Sequence, residues 1–235
     1  MNLDYNIVLN LSFGFTLNKL FFNNLECAFG KNLNFIMGPN GVGKSTFLRI
    51  LQGKVNKEEF IKGYIKINGQ DYNFSNVRTQ EFLQNNSRLV SQNYNDMLAL
   101  DFTVNQNLQA AQFLKYPSFN ALPSLFKYSD MLADVGVKLN SYVNELSGGQ
   151  RQILAIIMAL QKHVDILFLD EPTAALDEIN AQMVMDFLNK LSQMHNITIV
   201  CITHDKELIM NYSQGLYLKI VKNDKNERTI EKRLL

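Results

Sequence analysis

The segment Gly38-Pro39-Asn40-Gly41-Val42-Gly43-Lys44-Ser45 constrains the fold more than any other, because it fits G-x-x-x-x-G-K-[ST] and lies between two readable elements. Before it, Leu33-Asn34-Phe35-Ile36-Met37 is a short apolar run that reads as a buried strand. After it, Ser45 to Leu51 reads as a helix, with Gly53 just past its end. A strand, a loop of small residues and a helix in that order let successive backbone N–H groups converge on one anion, and the helix N-terminus aims its partial positive charge at the same point. Side chains at Gly41 or Gly43 would hold the backbone away from that anion. The chemistry this predicts is phosphate binding, with Lys44 on the β- and γ-phosphate oxygens of a nucleotide and Ser45 on an accompanying Mg²⁺ ion.

A second apolar run, Asp165-Ile166-Leu167-Phe168-Leu169-Asp170-Glu171-Pro172, ends in two acids. It does not alternate, which is how a parallel strand buried on both faces reads. Carboxylates at the C-terminal end of such a strand lie where open α/β sheets bind ligands. Asp170 suits Mg²⁺, directly or through water. Glu171 is placed to orient, or take a proton from, the water that attacks a γ-phosphate. Read alone, either acid can equally cap a helix at a sheet edge. A third run, Ile197 to Ile202, ends in Thr203-His204-Asp205. His204 reads as a γ-phosphate contact at the same strand end, with a structural histidine as the plainer alternative. His163 and His195 lie in polar stretches and read as solvated.

Leu146-Ser147-Gly148-Gly149-Gln150 is read together with these segments. Locally it is a loop and a helix N-cap, with Ser147 opening the helix. Taken together, the motifs resemble the ATP-binding cassette (ABC) ATPases, in that family's order over nearly the whole chain. The phosphate loop runs from Gly38 to Thr46 and a glutamine loop matches Leu89-Val90-Ser91-Gln92. The LSGGQ signature begins at Leu146, and Ala175-Leu176-Asp177 and Ile202-Thr203-His204-Asp205 follow the acidic strand.

The resemblance implies an α/β architecture, the P-loop NTPase fold of the ABC type. Its core sheet is mainly parallel, with an antiparallel β lobe and an inserted α-helical subdomain at about residues 93–162 of one domain spanning 1–235. It implies ATP and Mg²⁺ as ligands. Gly38, Pro39, Asn40, Gly41, Val42, Gly43, Lys44, Ser45 and Thr46 would surround the phosphates; Ser45, Gln92 and Asp170 would hold the metal; Lys44, Gln92, Glu171 and His204 would serve hydrolysis. It also implies that two cassettes, identical or kindred, face each other head to tail. Ser147, Gly148, Gly149 and Gln150 of one then close over the nucleotide held by the other, and Asp177 lies at the junction. Two anionic ligands bridge two positive helix ends, and hydrolysis removes part of the bridge.

The chain departs from the family's usual pattern in three places. Ile153 and Met158 stand where arginines are common after the signature; with the Thr173-Ala174-Ala175-Leu176-Asp177 that follows, the pattern is similar to amino-acid uptake systems of the tryptophan/tyrosine type. The adenine-stacking aromatic, usually a tyrosine, reads as Phe15 with Phe13 in reserve, and either can equally be a core residue of a hairpin. The proline often found before the signature is missing from Tyr142-Val143-Asn144-Glu145.

With 46% hydrophobic residues over 235, the chain can bury a real core, and a net charge of +1 offers no argument for nucleic acid. Its two cysteines, Cys27 and Cys201, fall in strand-like runs and read as buried thiols of a reducing compartment. Met1-Asn2-Leu3-Asp4 lacks the start of a signal peptide, and Ile153 to Leu160, the longest apolar stretch, is too short to span a bilayer. The expectation is a cytoplasmic subunit, held at the inner face of the cell membrane by transmembrane permease subunits and importing small solutes, with a substrate-binding protein as a further partner. A non-transport ABC ATPase in a soluble complex is the alternative.

Elsewhere, Asn6 to Met37 suggests strands and a hairpin, and Gly63 to Gly69 another strand. Val104 to Ala111 and Tyr128 to Val135 read as helices, with Pro117 and Pro123 between them. Tyr94 to Phe102 is the expected surface for a transmembrane subunit, with Met97, Leu98 and Leu100 as core residues the alternative. Gln214 to Leu235 reads as a solvated hairpin turning at Asn223-Asp224-Lys225-Asn226.

Overall fold

The structure, a computed structural model, describes residues 5–16, 19–31, 33–112, 126–195, 197–213, 216–223 and 227–235. The expected N-terminal tetrapeptide, the turn residues 224–226 and both prolines of the 113–125 linker lie outside them. In chain order the elements are β1 (Tyr5–Gly14), β2 (Phe22–Gly30), β3 (Leu33–Met37), α1 (Lys44–Leu51), β4 (Phe60–Ile67), β5 (Gln70–Asn73), α2 (Val77–Asn86) and β6 (Ser87–Val90). They continue with α3 (Val104–Gln112), α4 (Ser129–Asp134), α5 (Gly148–Ala159), β7 (Ile166–Asp170), α6 (Glu178–Met194), β8 (Thr198–Ile202), α7 (Lys206–Ser213), β9 (Leu216–Lys222) and β10 (Arg228–Leu234).

The strands join one sheet in the order β5-β4-β1-β2-β10-β9-β3-β8-β7-β6. From β9 to β6 the neighbours are parallel, and β1, β2, β4 and β5 pair antiparallel. The central strands carry apolar residues on both faces because helices or strands cover both. Leu167 and Leu169 of β7 and Ile199 and Cys201 of β8 belong to one core, with α5 and α6. Their alternates Ile166, Phe168, Val200 and Ile202 belong to a second core, with α1 and the antiparallel strands. That two-sided burial is the physical reason these strands read as unbroken apolar runs. In β1, Ile7, Leu9, Leu11 and Phe13 line the second core at the two-residue spacing of a strand.

The C-terminal hairpin is found with its charged end exposed, but it is also paired into the sheet on both sides. β9 pairs in parallel with β3 and β10 touches β2, so the hairpin joins the parallel and antiparallel halves. Within it, Ile220 of β9 is fully buried. Lys222, Lys232 and Arg233 of the same strands stay exposed, which is what the mixed charges indicate. Leu98 is also core rather than docking surface, whereas Leu100 and Phe102 remain exposed. His195 is not simply solvated: its ring packs edge-on against Tyr128, 4.6 Å between centroids. Cys201 is buried and Cys27 partly buried, and burial pushes both thiols well above the usual range.

Candidate functional site

Four neighbouring parallel strands end at one edge of the sheet, and each delivers a motif there. Pairing of Ile36, Asp170 and Val90 with the neighbouring strands brings the C-terminal ends of β3, β8, β7 and β6 level. The chain leaving β3 is the glycine loop, that leaving β8 carries His204, β7 ends in Asp170 and Glu171, and β6 leads to Gln92. This is the edge at which open parallel sheets bind ligands.

The result is a cleft of about 470 Å³ lined by Phe21, Asn40, Gly41, Gly43, Lys44, Ser45, Thr46, Gln92, Asp170 and Glu171. Gly43 is indispensable to its shape. Its φ of 111° lies in the region that favours glycine, and a Cβ there would stand 2.6 Å from the Phe21 ring. Val42 buries its side chain in the core, and its N–H meets the Pro39 carbonyl at 3.3 Å.

Lys44 Nζ donates to the carbonyls of Gly38 (2.6 Å) and Pro39 (3.3 Å) and lies 3.2 Å from His204 Nε2. That nitrogen is also 3.2 Å from Glu171 Oε1. A neutral Nε2 can accept from the ammonium, whereas a protonated Nε2 donates to the carboxylate. Burial lowers the Lys44 pKa, partly offset by Glu171 and Asp170. Burial and then the Glu171 charge hold the Asp170 carboxyl above its usual range, against the pull of Lys44 and His204. Glu171 is fixed by its own N–H, which donates to the Ile202 carbonyl (2.9 Å), and by a left-handed φ of 49°. His204 is held between Thr203, whose N–H meets the Ile36 carbonyl at 3.2 Å, and Asp205, which accepts from the N–H groups of Glu207 and Leu208.

The lining combines oxygen donors from Ser45, Gln92 and Asp170 with a glycine loop and a lysine, and it fits a magnesium nucleotide in donor type and in size. None of Ser147, Gly148, Gly149 and Gln150 lines this cleft. Ser147 instead caps α5, accepting from the Gln150 N–H (3.3 Å). The Gln150 amide is occupied inside the chain: Oε1 accepts from the Ser147 N–H (2.9 Å) and Nε2 donates to the Val135 carbonyl (2.9 Å).

Phe13 is fully buried and presents no face, while Phe15 is half exposed and meets Phe21 edge-on at 5.1 Å. Sequence reasoning missed Phe21, which lies on the cleft wall with the Arg228 guanidinium 3.9 Å from its centroid. It placed Tyr94 on the docking surface, whereas Tyr94 is buried and its hydroxyl donates to the Gly148 carbonyl (3.1 Å), and it missed Asn180, whose side chain contacts Ser147 and Gly149. Only an Asn three residues after Asp177 and a Tyr two after Gln92 mark these two positions, and neither spacing belongs to a recognised motif.

Comparison with known proteins agrees with this geometry. The profile of the family described as ABC transporter matches residues 23–174. Among curated relatives, the sulfate/thiosulfate import ATP-binding protein CysA of Synechocystis is 34% identical over 206 residues, which cover 87% of this chain and 54% of that protein. The ABC transporter ATP-binding protein YtrE of Bacillus subtilis is 34% identical over 176 residues, 74% of this chain and 73% of YtrE. The chain therefore spans about half the length of CysA and most of YtrE. Among solved structures, cbiO1 of Clostridium perfringens, part of the complex cbiONQ, superposes with a TM-score of 0.76 at 23% identity, covering 97% of this chain and 88% of its own. At that identity the likeness establishes the fold.

Proposed function

This chain belongs to the ABC transporter family and carries its ATPase domain; on that premise we propose that it binds and hydrolyses ATP to energise a membrane transporter, importing small solutes, through a site shared between two copies or kindred chains. The observation that carries the reading is the division of the motifs. Lys44, Ser45, Gln92, Asp170 and Glu171 share one cleft, whereas Ser147 to Gln150 line none of it.

In this reading Lys44 and the loop amides hold the β- and γ-phosphates, and Phe15 with Phe21 beside it faces the adenine nucleoside. Ser45, Asp170 and Gln92 would hold Mg²⁺, which when bound neutralises charge on the β- and γ-phosphate oxygens. Glu171 Oε1 orients the attacking water and takes its proton, and His204 Nε2 steadies that carboxylate and contacts the γ-phosphate. The partner's Ser147 and Gly149 donors complete the phosphate cage, so closure precedes hydrolysis. Nothing in the cleft discriminates a transported solute.

A membrane partner is supported by a second cleft of about 330 Å³, lined by Arg88, Met97, Ala111, Met158, Ala159 and Lys162. Exposed Leu100 and Phe102 add apolar surface on the segment after Gln92. Among the described residues no helix is long and apolar enough to cross a membrane, so on this reading the membrane-spanning part lies outside them. Import rests on the names of relatives such as CysA, and amino acids of the tryptophan/tyrosine type rest on Ile153 and Met158 with the Thr173-Ala174-Ala175-Leu176-Asp177 segment.

Co-purification with the membrane subunits, followed by an ATPase assay of the complex, tests the proposal. Retention with a permease and ATP turnover are expected. A chain that binds no membrane subunit would remove the transport reading.

A further inference from the structure

We propose that Asn180 occupies the signature's phosphate-binding donors within the single chain, as a stand-in for a phosphate oxygen, and must release them when a second copy brings its nucleotide. The inference rests on the shared-site reading and adds to it a residue that sets how readily the two copies close.

Asn180 Oδ1 accepts two hydrogen bonds from the signature, one from the Ser147 hydroxyl at 2.8 Å and one from the Gly149 N–H at 3.2 Å. These are two of the donors that the shared site aims at the partner's γ-phosphate. One oxygen bridging a hydroxyl and a helix N-terminal N–H has the geometry of an anion oxygen bound there. The orientation of the amide is determined by its surroundings. Asn180 Nδ2 donates to Asp177 Oδ2 (2.7 Å), and the Asn180 N–H donates to Asp177 Oδ1 (2.8 Å). Flipping the amide would oppose donor to donor at Gly149 and acceptor to acceptor at Asp177.

The contact is close as well as polar. A Cβ at Gly149 would stand 2.8 Å from Asn180 Oδ1 and 3.0 Å from its carbonyl, so glycine there admits the Asn180 side chain as well as a phosphate. Asp177 and Asn180 thus tie the start of α6 to the start of α5. A nucleotide arriving from outside competes with an acceptor already in place. An anionic oxygen outbids a neutral amide oxygen for the same donors, because charge-assisted hydrogen bonds are roughly twice as strong as neutral ones. Asn180 therefore raises the threshold for closure without abolishing it.

The test uses the full chain carrying Glu171→Gln, which slows turnover so that an ATP-bound dimer can accumulate. Dimerisation is followed by light scattering as ATP and Mg²⁺ are titrated. Adding Asn180→Ala, or Asn180→Leu to keep the bulk without the acceptor, should lower the ATP concentration at half-dimerisation by about tenfold, the effect of releasing two neutral hydrogen bonds. A packing role alone would lower Tm and leave that concentration unchanged or higher. If the Glu171→Gln chain dimerises with ATP but neither addition lowers the midpoint, the stand-in role is wrong while the shared site stands. If the Glu171→Gln chain does not dimerise at all, the shared-site reading fails and Asn180 has no closure to oppose.

Discussion

Glu171, the proposed proton acceptor, stands where a buried strand ends: the backbone turns there at a left-handed φ, and Pro172 prevents the strand from continuing. A non-glycine residue pays about 1–2 kcal/mol for that conformation, and such strain is found at sites whose surroundings over-determine it. Glu171→Gln keeps the shape and removes the proton acceptor, so ATP binding should persist while hydrolysis slows by about 10²- to 10⁴-fold in a steady-state phosphate-release assay. Asp170 next to it works against stability. Its pKa is raised on folding, so the folded chain holds that proton more tightly than the unfolded chain does. The penalty is absent below the unfolded pKa, grows as pH rises to the folded value, and stays in full above it. Asp170→Asn should therefore raise Tm near pH 8, with the gain shrinking towards about pH 4, and should abolish Mg²⁺-dependent turnover. Four residues on, Ala175 is left-handed as well, at φ 64°. Ala175→Gly should stabilise by roughly 0.5–1 kcal/mol in urea denaturation, the relief of strain less the added freedom of glycine when unfolded.

At the level of elements, legibility followed burial. β3, β7 and β8 were readable because two-sided burial demands unbroken apolar residues, and α5 because Ser147 and Gln150 form a capping box that spacing alone announces. The β9–β10 hairpin was readable as strands but not as a central joint, since pairing partners distant in sequence leave no local trace. What Asn180 and Tyr94 contact was invisible for a related reason. Each acts on the signature through one hydrogen-bonded atom, and a single polar residue on a helix or a short turn looks the same whether it meets solvent or a neighbour. α5 carries an opposite case in Gln152, which is buried with neither side-chain amide atom bonded among the described residues. Gln152→Leu should raise stability by about 1–3 kcal/mol, measured as the urea midpoint at unchanged m-value. A fall would reveal a partner for that amide.

For the whole molecule, one ten-stranded sheet carries the proposed nucleotide cleft at the edge where its parallel strands end and leaves the signature elsewhere on the same chain. The division was legible in the sequence only through resemblance, because motif spacing says which residues meet within a fold and nothing about which meet between copies. The most direct measurement mixes two inactive variants, Lys44→Ala and Ser147→Arg, and assays ATP turnover. In a head-to-tail pair of unlike variants, both lesions fall in one site, and the other site has an intact Lys44 facing an intact Ser147. Turnover in the mixture well above that of either variant alone is the predicted result. A mixture no more active than its components, under conditions where the two variants are shown to associate, would place the whole reaction within a single chain and contradict the shared site.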